Sequence, residues 1–125
     1  MKAIVSEQVG GPDTLVLRDL PTPEPGAGEL RLRVRACGVN YPDALMLEDK
    51  YQFRPTRPFA PGGEVAGEVD AVGAGVTQFK PGDRVIALVG HGGMAEYVVA
   101  RANKCIAMPD AMPYDEAAAF IFTYG

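Results

Sequence analysis

Glycine and proline punctuate this chain from end to end. Fifteen glycines and eleven prolines are spread through 125 residues rather than gathered in one tract. Clusters such as Val9-Gly10-Gly11-Pro12 and Lys80-Pro81-Gly82-Asp83 stop whatever element precedes them. That spacing argues against an all-helical bundle and for many short elements joined by turns. The length suits a single domain built around one hydrophobic core.

Between the turns the dominant period is two. Residues 29–36 alternate strictly, with Leu30, Leu32, Val34 and Ala36 on one face and Arg31, Arg33 and Arg35 on the other. This is the signature of a half-buried strand, and the arginines read as its wet face rather than an anion site. Short strands are also predicted near the N-terminus around Ala3 and Val5, and over 15–20, 64–72, 84–89, 94–100 and 104–108. One or two helical turns are expected after Asn40-Tyr41-Pro42-Asp43, and an ordered loop over 51–61. A clear helix signal comes only near 113, where Pro-Tyr-Asp-Glu precedes Ala117-Ala118-Ala119. About seven strands and two small helices make a mostly-β barrel or sandwich.

Charge and cysteine usage exclude several classes. Twelve basic against sixteen acidic residues give a net charge of −4, scattered singly, so no surface tracks a nucleic-acid backbone. The opening MKAIVSEQ has no secretory pattern, and no apolar run reaches the roughly eighteen residues a membrane span needs. A cytoplasmic location and no membrane partner are therefore expected. Cys37 and Cys105 stand far apart among apolar neighbours and read as buried free thiols, not as a disulfide or metal pair. His91, the single histidine, lies between glycines in a turn; it either has no role or faces a substrate, and alone it builds no zinc site.

Six motifs in order then carry a resemblance that spans essentially the whole chain. They are Val34-x-Ala36-x-Gly38-Val39-Asn40 with Asp43, Pro61-Gly62-Gly63-Glu64-Val65-Ala66-Gly67, Val72-Gly73-x-Gly75-Val76, Phe79-Lys80-Pro81-Gly82-Asp83-Arg84-Val85, Gly93-Met94-Ala95-Glu96-Tyr97 and Ala117-Ala118-Ala119. The chain resembles the catalytic domain of the medium-chain dehydrogenase/reductase superfamily. Lys50-Tyr51-Gln52-Phe53 ahead of Pro58-Phe59 looks most like its zinc-independent quinone oxidoreductase branch. The resemblance implies a GroES-like barrel over residues 1–125, with the helix from about 113 leading toward a Rossmann cofactor domain that is not in this sequence. The length then reads as a cut at the start of that helix, and the 125-residue piece is expected to be inactive alone.

The departures from the zinc enzymes of that superfamily bear on the chemistry. Their three metal ligands fall on Asn40, Gly63 and Phe122, and their proton-relay hydroxyl falls on Pro42. A carboxamide, a hydrogen and a phenyl ring supply no imidazole or thiolate, so no metal is expected. Without a Lewis acid, the fitting acceptor is one that spreads incoming charge over its own π system: a quinone, or alternatively an enone. The resemblance implies hydride transfer from NADPH to such a small molecule; the choice between NADPH and NADH is made outside this sequence. It places Asn40, Tyr41 and Tyr51 at the reacting centre, and Asp43 and Glu64 behind them. Asn40, Tyr41, Thr123 and Tyr124 fall on the cofactor side. Asn40 also reads as a helix cap, Tyr51 as a loop tyrosine, and Asp43 and Glu64 as loop-holding carboxyls. Relatives are commonly homodimers or homotetramers. A non-catalytic GroES-like binding or structural module is the alternative from another class.

Overall fold

In the computed structural model, residues 1–38, 43, 46–50, 55–109 and 112–114 are described. Seven strands form: β1 (Lys2–Val5), β2 (Val16–Asp19), β3 (Glu29–Gly38), β4 (Glu64–Val72), β5 (Arg84–Leu88), β6 (Tyr97–Arg101) and β7 (Cys105–Ala107). Every pairing is antiparallel, β1 with β2 in one sheet and β6-β3-β4-β5-β7 in the other. Turn chemistry sets this order. Gly75 and Gly82 take φ of 81° and 94° in the connection from β4 to β5, which brings those consecutive strands back side by side. The mostly-β architecture expected from the punctuation is the one observed. No helix among the described residues is long and apolar enough to cross a membrane.

The main core lies on one face of the large sheet, where Leu30, Leu32, Val65, Val69, Val85 and Val98 meet from β3, β4, β5 and β6. Each such side chain, fully buried, contributes about 1.5–3 kcal/mol relative to exposure. The expected alternation holds from Leu30 to Val34 and then fails. The β3–β4 register shifts between Val34 and Ala36, a bulge that places Arg35 as an extra residue. Beyond it, Ala36 packs with Ala66 and Ile86 in a second cluster, while Cys37 joins the main core. One inserted residue thus moves the following side chains to the opposite face. Of the arginines of β3, Arg33 and Arg35 face water while Arg31 is largely covered; Arg31 Nη2 lies 2.7 Å from Asp70 Oδ2 and Arg35 Nη2 2.7 Å from Glu68 Oε1.

A close approach explains Gly67 in the middle of β4. A Cβ there would run into the carbonyl oxygen of Arg33 on the neighbouring strand, just before the bulge. The strand expected over 94–100 begins later, at Tyr97. Residues 94–96 instead bond to β1: Ile4 N–H donates to the Met94 carbonyl at 2.9 Å, and Glu96 N–H to the Lys2 carbonyl at 3.0 Å. Those bonds join the small sheet to the large one. The segment feeding β7 is also tighter than expected, because Ala102–Lys104 form a 3₁₀ turn. The helix expected from about 113 lies outside the described residues beyond Tyr114, which is helical.

Candidate active site at the strand ends

Three strand ends converge on one corner. Glu64 opens β4 and pairs with Gly38, the last residue of β3, and with Leu88, the last of β5. Asp43 is helical, as is the turn at Met46 and Leu47, and its charge reaches Cys37 near the end of β3. Both carboxyls are buried, Asp43 at 4% exposure and Glu64 at 1%. Every buried side-chain nitrogen or oxygen among the described residues has a hydrogen-bond partner. The pair meets at Cys37. Burial and then the negative charges of Asp43 and Glu64 push its thiol up to about 11. The thiol that the sequence suggests is a simple buried one is half-buried, with two acidic neighbours.

Two loops close the corner over Glu64. Gly92, Gly93 and Met94 donate their backbone N–H groups to the carbonyls of Ala60, Gly62 and Pro61 at 2.7, 2.9 and 3.0 Å. Val89 N–H donates to the Gly63 carbonyl at 2.8 Å. The turn therefore lies hard against Gly63, where a Cβ would come 2.9 Å from the Gly90 carbonyl oxygen. No side chain can be added at Gly63 without moving that backbone. Among the described residues, no group of three or more His, Cys, Asp or Glu could hold a metal ion.

Beside this corner runs an open groove of about 590 Å³, walled by Pro55, Thr56, Pro58, Phe59, His91 and Tyr97 among others. That volume falls within the roughly 300–1,000 Å³ of small-molecule sites. The Phe59 and His91 rings meet edge to face, with centroids 5.7 Å apart at 78°. Burial lowers the pKa of His91, which favours the neutral imidazole. Among the described residues, no lysine or arginine lines the groove.

Of the residues singled out in the sequence, the structure brings Asp43 and Glu64 together at Cys37. Asn40, Tyr41, Tyr51, Thr123 and Tyr124 lie outside the described residues, as do Pro42 and Phe122. Sequence reasoning missed Arg57. Its side chain bonds to residues at the end of the helical turn and to Ser6. No local motif marks an arginine between threonine and proline as anything but a loop residue.

Fold and site together define a GroES-like domain of the kind alcohol dehydrogenases carry. The chain belongs to the medium-chain dehydrogenase/reductase superfamily, and the family model described as "Alcohol dehydrogenase GroES-like domain" matches residues 26–110. It is 40% identical to the synaptic vesicle membrane protein VAT-1 homolog of Rattus norvegicus over 99% of this chain and 31% of that protein. It is 35% identical to the quinone oxidoreductase of the same species over 99% of this chain and 38% of that protein. The quinone oxidoreductase from Thermus thermophilus, whose crystal structures include a complex with NADPH, superposes with a TM-score of 0.81 at 42% identity, over 96% of this chain and 36% of that one. The chain thus spans about a third of the length of the curated relatives it matches.

Proposed function

We propose that this chain is the acceptor-side domain of a zinc-independent, NADPH-dependent quinone oxidoreductase. The observation that carries the reading is the groove: apolar, partly aromatic, with a histidine that burial keeps toward its neutral form and, among the described residues, no lysine or arginine in its lining. Such a wall fits a flat, weakly polar ring and does not fit the phosphates of a dinucleotide. In this reading NADPH is held mainly by residues of a following Rossmann domain; the Thermus relative's complex with NADPH supports the choice of cofactor by likeness.

Zinc does not fit the corner. Gly63 has no ligating atom and no room for one, and the Cys37 thiol stays protonated at neutral pH. Buried side-chain polar atoms among the described residues already have partners. When bound, NADPH supplies the hydride, and the quinone takes it together with a proton from solvent to give hydroquinone and NADP⁺. The chain's own part is to hold the acceptor ring flat and to donate hydrogen bonds to its oxygens, roles this reading gives to Asn40, Tyr41 and Tyr51. Asn40, Tyr41, Thr123 and Tyr124 face the nicotinamide in the same reading, and Asp43 and Glu64 hold the turn behind them. A cytoplasmic homodimer or homotetramer is the working form.

The test is NADPH oxidation by the full-length protein against a panel of quinones and enones, with zinc measured on the purified protein. Reduction of quinones by a zinc-free enzyme is expected. Preference for enones would move the assignment to an enone reductase. No turnover with any acceptor would favour a non-catalytic module, and one tightly held zinc per chain would refute the metal-free chemistry.

A further inference from the structure

We propose that Arg57 is a positioning residue that fixes one wall of the acceptor groove, an inference that rests on the reading of that groove as a quinone site. Its guanidinium uses its donors in three directions. Nη1 bonds Asp49 Oδ1 at 2.6 Å, Nη2 bonds the Leu47 carbonyl at 2.7 Å and the Met46 carbonyl at 3.3 Å, and Nε bonds Ser6 Oγ at 3.2 Å. Those acceptors come from two separate stretches of chain, the end of the helical turn and the extension of β1. Met46 and Leu47 carry carbonyls at the end of that turn, and Arg57 adds to the bonds these accept from Asp49 N–H at 3.2 Å and Gly10 N–H at 3.0 Å. Asp49 sits at φ 56°, a left-handed conformation that a non-glycine residue holds only when its surroundings enforce it. The ion pair to Arg57 is part of that enforcement.

The other side of the clamp is the groove. Thr56 and Pro58, the sequence neighbours of Arg57, line it, as do Pro55 and Phe59. The Arg57 Cζ lies 5.3 Å from the centroid of the Phe59 ring, and that ring meets His91 edge-on. Ser6, fully buried, exchanges backbone hydrogen bonds with Phe59 at 2.7 and 3.2 Å, so Arg57 and Phe59 are anchored to the same residue. With its side chain only 18% exposed, Arg57 is poorly screened by solvent. A planar fork that serves four acceptors is also a role lysine fills only in part. Arg57 is thus the common point through which the helical turn, the extension of β1 and the groove wall hold one another, while its neighbours Thr56, Pro58 and Phe59 face the groove.

The experiment compares the full-length wild type with Arg57→Ala, Arg57→Lys and Asp49→Asn, using benzoquinone as acceptor. Steady-state kinetics are paired with amide hydrogen exchange. Arg57→Ala is expected to raise the KM for benzoquinone about tenfold, equivalent to ~1.4 kcal/mol, with kcat and the KM for NADPH within about twofold. Exchange should quicken at residues 46–49 and 55–59, and Arg57→Lys should recover part of the KM. An unchanged quinone KM, or a fall in kcat with both KM values unmoved, overturns the proposal. Should Arg57→Ala not fold, the same criteria decide through Arg57→Lys and Asp49→Asn. A wild type that reduces no quinone defeats the functional reading itself; faster exchange in the variants would then identify a purely structural clamp.

Discussion

Cys37 and His91 show how burial, joined at Cys37 by the charges of Asp43 and Glu64, sets chemical behaviour at single residues. A thiol pushed up to about 11 is almost wholly protonated at pH 8. Its thiolate fraction there is about a hundredfold below that of a thiol at the ordinary 9.0, so alkylation slows at least in proportion. Cys105, also pushed up to about 11 by burial, behaves likewise. Iodoacetamide at pH 8 should leave both cysteines unmodified in the native chain and label both in urea, which mass spectrometry reads directly. His91 couples stability to pH with a definite sign. Its folded pKa is lowered, so between that value and the ordinary 6.5 the unfolded chain binds the proton more readily. Stability is fully retained above 6.5 and falls as pH drops below it. The urea midpoint should therefore decline from pH 7 to pH 5, and His91→Gln should flatten that decline. Asp19 and Asp83, whose pKa values are lowered first by side-chain hydrogen bonds from Lys2 and Lys80, act only at lower pH, so the windows separate.

Among the elements, β3 and β4 carry the fold, and their contact is tightest at Gly67. Gly67→Ala drives a methyl into the Arg33 carbonyl of the adjacent strand and should cost about 1–3 kcal/mol. Urea unfolding should show a lower midpoint at unchanged slope. The strands themselves were legible, because alternation and turn residues are local signals that the backbone cannot ignore. Their limits were less so. The bulge at Arg35 has no mark in a sequence that goes on alternating through Ala36, since it is dictated by the β4 partner rather than by β3 itself. Residues 94–96 look like strand and are paired, but mostly with β1, only the Glu96 carbonyl reaching Val34 of β3, because each carbonyl goes to whichever neighbour tertiary packing supplies. The 3₁₀ turn of Ala102–Lys104 carries neither glycine nor proline to announce it.

For the whole molecule, the site divides along the same line. Asp43 and Glu64 could be picked out from motif spacing, and in the structure both are buried and both act on the Cys37 thiol. Arg57 could not, because its partners lie on a stretch 51 residues away in sequence as well as on one close by. The chain covers about a third of its curated relatives, and among the described residues no lysine or arginine lines the groove to meet a cofactor's phosphates. The purified 125-residue chain should accordingly consume no NADPH in the presence of benzoquinone while the full-length protein does, a difference that NADPH absorbance follows in one assay. Turnover by the short chain would show that these residues bind cofactor unaided. The Gly90 carbonyl held 2.9 Å from where a Cβ of Gly63 would stand bears, finally, on descent. A lineage with this backbone cannot gain an imidazole at position 63 by replacing that residue alone; the turn at 90 has to retreat first, and until it does the change brings a clash and no ligand. Two changes that are each unfavourable without the other make a ratchet, which would keep such a lineage from acquiring a side-chain ligand at that position.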